Sequence, residues 1–140
     1  MAKVKRQDLK DLANLRIDEA RTLMKAGQFP GAYYFTGLAI ECALKACIAK
    51  STEEYEFPDL RRVAESWKHN LAELLNTAGL KPELERQRKI DQQFEANWLT
   101  VKDWSVDSRY EKKTQQEAES IFTAATEAAH GVLQWLGVYW

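Results

Sequence analysis

The chain has 140 residues, 20 basic and 21 acidic, for a formal net charge of −1; this excludes a global cationic field as the means of attracting nucleic acid and leaves only a local patch for that purpose. Three prolines and six glycines, in a sequence rich in Ala, Leu, Glu, Lys and Gln, suit one all-α domain over residues 1–140 with a single core. Two cysteines and two histidines without paired spacing exclude a zinc set, and no glycine-rich phosphate loop or serine nucleophile elbow occurs, so no cofactor or metal is expected.

The N-terminal stretch has no apolar segment, which predicts neither secretion nor a membrane span and makes the cytoplasm the expected compartment. A first helix is predicted from Gln7 to Ala26, with Leu9, Leu12, Ala13, Ile17, Ala20, Leu23 and Met24 on its apolar face, Gly27 as its left-handed stop and Pro30 opening the next. Arg16 falls inside that apolar stripe. Either its stem packs and its guanidinium snorkels, or it reaches a buried carboxylate such as Glu41.

Residues Pro30 to Lys50 are apolar on almost every side, which marks a buried central helix that is still too polar for a lipid span. Glu41 and Lys45 sit on it at i and i+4, with Glu first, the favourable order for a helical pair. An unpaired carboxylate there would be a catalytic candidate, but an ion-pair network of Glu41, Lys45 and Arg16, with Arg109 also in reach, is the stronger reading. Cys42 and Cys47 point to different sides of the same helix, so a bridge between them is excluded and both read as core thiols.

An acidic, aromatic connection from Ser51 to Phe57 leads to Pro58, which starts a short helical turn through Arg61. A compact helix led by His69 and Asn70 follows, with Leu71, Leu74, Leu75 and Ala78 as its stripe and Gly79 and Pro82 closing it. The next helix is predicted as one piece from Pro82 to Val101, with a narrow seam of Ile90, Phe94, Trp98 and Val101. Asp103 to Tyr110 breaks the helical pattern and carries Arg109. The last helix is predicted from Thr114 to Leu136, with Ala129 on its inner face and His130 off it and simply exposed. The apolar end, Trp135 to Trp140, needs cover, either from a second subunit or from its own bundle.

In order and spacing these segments resemble the HEPN domain (higher eukaryotes and prokaryotes nucleotide-binding). The resemblance rests on AGQFPGAYYFTGLAIECALKA, with Glu41 and Leu44-Lys45-Ala46, on HNLAELL from His69 to Leu75, and on Ser108-Arg109-Tyr110 before the last helix. It implies a four- to five-helix bundle, a homodimer, and one of two kinds of function. Some members are metal-independent endoribonucleases whose Arg and His, four to six residues apart, meet their symmetry mates in a dimer cleft. Others are non-catalytic partners of small nucleotidyltransferases, and both kinds are often found in toxin–antitoxin, phage-defence and stress systems.

Arg62 and His69, with six residues between them, formally meet the nuclease spacing, but Val63 follows Arg62 where that form tends to carry a polar residue. The competing reading is that His69 and Asn70 cap a helix. Arg109 and Tyr110 suit a nucleotide phosphate and a stacked base, or else tie their loop to the bundle. Basic clusters at Arg61-Arg62-Lys68, Arg86-Arg88-Lys89 and Lys102-Arg109-Lys112-Lys113 form a patch only if the fold unites them. The expectation is a nucleotide- or RNA-associated module with Arg109, Tyr110 and Asn70 as ligand contacts. The alternatives are a ribonuclease using Arg62 and His69, or an interaction module that dimerises through its C-terminus.

Overall fold

A computed structural model describes residues 4–54 and 60–140, the side chains of residues 53, 54 and 60–62 excepted. Among the described residues the chain is an all-α bundle: α1 (Arg6–Lys25), α2 (Phe29–Glu54), α3 (Leu60–Ser66), α4 (Leu71–Thr77), α5 (Lys81–Ile90), α6 (Gln92–Lys102), a 3-10 turn (Val106–Tyr110), α7 (Gln115–Thr126) and α8 (Val132–Leu136). The predicted bundle is there, and the helix count rises above five because two long predicted helices are each broken.

Helix α2 is the centre, packing against α1, α4, α7, α8 and the 3-10 turn. Ala39, Ile40, Ala43, Leu44 and Ala46 are fully buried, so its apolar surface is spent on neighbouring helices. Phe29–Thr52 is long and apolar enough to cross a bilayer, but 61 % of its most apolar window is buried by protein. Gly27 stops α1 at φ 74° and Gly79 stops α4 at φ 74°, the left-handed geometry that favours glycine.

Small residues on α2 set how closely other elements approach it. At Gly37 the Trp104 indole lies on the helix backbone: a Cβ there would stand 2.0 Å from Trp104 Cε2 and Nε1. Trp104 also stacks on Tyr34, with ring centroids 6.0 Å apart. The segment after α6 is thus anchored to α2 by one buried indole, and this anchor positions Arg109.

The helix predicted over Pro82–Val101 breaks at Asp91, whose backbone is extended at φ −140° and ψ 97°. Its carboxylate accepts the Phe94 N–H at 3.0 Å, so Asp91 is the N-cap of α6. The break turns Ile90 out of the seam to 74 % exposure, while Phe94, Trp98 and Val101 stay buried as expected. The helix predicted over Thr114–Leu136 likewise breaks between α7 and α8, leaving Ala129 exposed.

One cluster joins the two breaks. Buried Asn97 donates to Glu127 Oε2 at 3.1 Å and to the His130 carbonyl at 2.9 Å, and His130 Nδ1 bonds Asp91 Oδ2 at 2.6 Å. His130 is therefore a paired, part-buried residue, correcting the expectation of simple exposure. Asp91 raises the His130 pKa, and His130 in turn lowers that of Asp91, chiefly through their shared hydrogen bond.

The C-terminal segment folds onto its own bundle. Leu136 is fully buried, Trp135 meets Phe94 at 5.2 Å and Tyr139 at 5.3 Å between centroids, and Lys10 lies over the Trp140 ring. Its rings are thus partly covered by their own bundle, while Val138 stays 70 % exposed.

Candidate functional site

Helix α2 carries the candidate site on one face. At 100° per residue, Tyr34, Leu38, Glu41 and Lys45 fall within about 60° of each other, on a helix that packs against both α1 and α4. Glu41 is buried, 8 % exposed at its side chain, yet it is satisfied: Lys45 Nζ lies 3.7 Å from one carboxylate oxygen and His69 Nδ1 2.8 Å from the other.

The His69 partnership was invisible in the sequence, since 28 residues separate it from Glu41. His69 directly precedes the cap of α4. Asn70 is that cap, its side-chain oxygen accepting the Glu73 N–H at 2.9 Å, which fixes the amide in the capping role. His69 itself does not cap; its ring turns to Glu41 across the loop. A carboxylate only accepts, so Nδ1 carries the proton, and no described residue bonds Nε2. The side chain is 55 % exposed. The arrangement is an outward imidazole held from behind by a buried carboxylate.

Trp67 completes the site and was missed in the sequence. Its indole is 70 % exposed, and the Lys45 ammonium lies 5.9 Å from its ring centroid. The available signal was a tryptophan between Ser66 and Lys68 with no place in an apolar stripe. Backbone bonds from Trp67 N–H to Ala64 O and from Lys68 N–H to Glu65 O hold it in the turn that ends α3.

Two expected members lie elsewhere. Arg16 pairs with Glu19 one turn away and lies over the Phe35 ring, so it is not in the Glu41 ion pair. Its position on α1 gives it a nearer carboxylate on its own helix. Arg109 does not reach Glu41 either: its guanidinium sits 4.8 Å from the centroid of the Tyr110 ring, with the Tyr34 phenol also beside it. The Tyr110 phenol, first among its neighbours, raises the Arg109 pKa. The backbone of Arg62 is in α3, but its side chain lies outside the described residues, as does that of Arg61, and Pro58 is outside them altogether.

Three members of the basic clusters are held in ion pairs. Arg88 pairs with Glu85 and Glu95, Lys68 with Glu73, and Lys113 with Glu111 and Glu117. Both thiols are free; burial pushes the Cys47 thiol up to about 12 and also raises that of half-buried Cys42. Among the described residues no group of His, Cys, Asp and Glu is placed to hold a metal ion.

The family model for the HEPN domain matches residues 7–138, nearly the whole chain. The chain belongs to the HEPN family. No curated protein and no solved structure gives a significant match. Within this HEPN domain, the histidine-led helix, the Glu41–Lys45 pair and the Arg109–Tyr110 segment all border the same side of α2.

Proposed function

We propose that this HEPN domain is a binding module for a nucleotide or RNA, with Trp67, His69 and Lys45 as its contact residues. The observation that carries the reading is a bare indole under the Lys45 ammonium, which shares buried Glu41 with the outward His69 imidazole. An exposed tryptophan offers a base a stacking surface worth about 1–3 kcal/mol. His69 Nε2 and the Lys45 ammonium offer hydrogen bonding and charge to the attached phosphate. The module acts as a homodimer in the cytoplasm, beside a separate nucleotidyltransferase in a toxin–antitoxin, defence or stress system. The compartment follows from the lack of an apolar N-terminal segment, and the dimer, the partner and the system follow from the family resemblance.

The Glu41–His69 bond favours a second reading, a metal-independent endoribonuclease. An imidazole fixed by a carboxylate at Nδ1 can accept the 2′-hydroxyl proton at Nε2. The 2′-oxygen then bonds phosphorus, the bond to the 5′-oxygen breaks, and that leaving oxygen takes up a proton, giving a 2′,3′-cyclic phosphate. Arg62 would stabilise the charged phosphorane.

Cleavage of a mixed RNA pool in EDTA separates the readings, with anisotropy of labelled RNA read in parallel. The binding module retains RNA without cutting it, and His69→Ala and Trp67→Ala weaken retention. Cutting by the wild type that both His69→Ala and Arg62→Ala abolish would replace the first reading with the second. Absence of both binding and cutting would overturn both.

A further inference from the structure

Arg109 and Tyr110 stand apart from Trp67 and His69 in the sequence, yet both groups rest on the same face of α2. Tyr34, against which Arg109 lies, and Glu41, which holds His69, are seven residues apart on α2. Seven residues turn the helix by nearly two full turns and advance it by about 10 Å. Tyr34 and Glu41 therefore point almost the same way, with partly buried Leu38 between them.

The two ends are chemically alike. At one, exposed Trp67 lies beside the Lys45 ammonium. At the other, Tyr110, 78 % exposed, lies beneath the Arg109 guanidinium. No carboxylate of the described residues pairs with Arg109, unlike Arg16, Arg21 and Arg88, each of which holds an acidic partner. Among the described residues its charge thus has no acidic partner. Buried Trp104, stacked on Tyr34 and seated on Gly37, keeps this second platform in register with the first.

We propose that the two platforms form one track for a single-stranded oligonucleotide, with one base on Trp67, a later base on Tyr110 and the intervening backbone crossing Leu38 to a phosphate on Arg109. This deepens the nucleotide- or RNA-binding reading and rests on it. Two separated aromatic faces with a cation at each are the elements of sequence-tolerant single-strand binding, whereas a lone mononucleotide would use only one of them.

The test measures affinity for AMP and for 2′-O-methyl oligoadenylates of two to eight nucleotides, which cannot be cut through a 2′-hydroxyl. Affinity is expected to rise at least tenfold between AMP and the longest oligomer. Arg109→Ala and Tyr110→Ala, both at exposed positions and checked for helicity, should remove that gain and leave AMP binding unchanged. Arg109→Ala should also flatten the slope of log K against log salt for the oligomer by about 0.7. Trp67→Ala should weaken AMP and oligomer alike. Equal affinity at all lengths, or a length gain untouched by Arg109→Ala and Tyr110→Ala, would overturn the track while leaving nucleotide binding standing. Failure of both AMP and oligomer to bind would overturn the underlying reading as well.

Discussion

Gly37→Ala tests the contact on which the placement of Arg109 depends. The added Cβ would stand 2.0 Å from the Trp104 ring, and Trp104 is only 2 % exposed. Favourable carbon contacts begin near 3.5 Å, so the indole must withdraw by about 1.5 Å. Overpacking of this kind costs about 1–3 kcal/mol, and complete loss of a buried tryptophan's packing about 3–5 kcal/mol. Alanine returns about 1 kcal/mol of helix propensity. The steric cost wins, and a net destabilisation of about 2 kcal/mol is expected, or about 6 °C in Tm for a chain of this size. Gly31→Ala on the same helix is the control, since its Cβ would meet the flexible end of Leu23 at 3.1 Å. That variant should be neutral or up to about 1 kcal/mol more stable. Urea unfolding followed by far-UV circular dichroism measures both. Equal stability of the two variants would refute the packing of Trp104 on Gly37.

Glu41→Ala strands the Lys45 ammonium, 16 % exposed, and removes the acceptor of His69 Nδ1, so a loss of about 3 kcal/mol is expected in urea unfolding; Glu41→Gln, which keeps an acceptor, should lose less. Asn97→Ala leaves the part-buried His130 carbonyl and Glu127 without their donor and should cost about 1 kcal/mol by the same measurement. The Asp91–His130 pair makes stability depend on pH. His130 has its pKa raised from 6.5, so its contribution is full below 6.5 and lost as pH rises through the raised value. Asp91 has its pKa lowered from 3.8, so its contribution is full above 3.8 and lost as pH falls through the lowered value. Urea midpoints of His130→Asn should therefore show a smaller decline above pH 6.5 than the wild type, the starting point of the His130 titration; parallel curves would contradict the pair.

Much of the bundle was legible because its signals are local. Gly27 and Gly79 ended helices where left-handed backbone was needed, and the all-round apolar character of α2 announced its burial. The breaks at Asp91 and after Thr126 were not legible. The first joins a local cap, Asp91 on the Phe94 N–H, to a bond from distant His130, and the second is tied by bonds from Asn97 to Glu127 and the His130 carbonyl. Periodicity carries no trace of such partners.

The site divided in the same way. Glu41 and Lys45 were readable as a pair because one helical turn links them, while His69 reaches Glu41 only through the tertiary fold. Arg16 was assigned by its angle on the helix, which says nothing of the competing carboxylate at Glu19. Trp67 carried a compositional signal, but its exposure is a property of the folded turn at the end of α3.

Nucleotide binding at Trp67 and His69 is tested most directly by the indole N–H resonances in a titration with AMP. Trp67 is 70 % exposed, whereas Trp98 and Trp104 are 3 % and 2 % exposed, so each reports on a different environment. The expected result is a saturable shift of the Trp67 resonance, accompanied by the His69 ring signals, with those of Trp98 and Trp104 fixed. A Trp67 resonance that stays in place at millimolar AMP, or shifts confined to the buried indoles, would contradict the assignment of this face of α2 as the binding site.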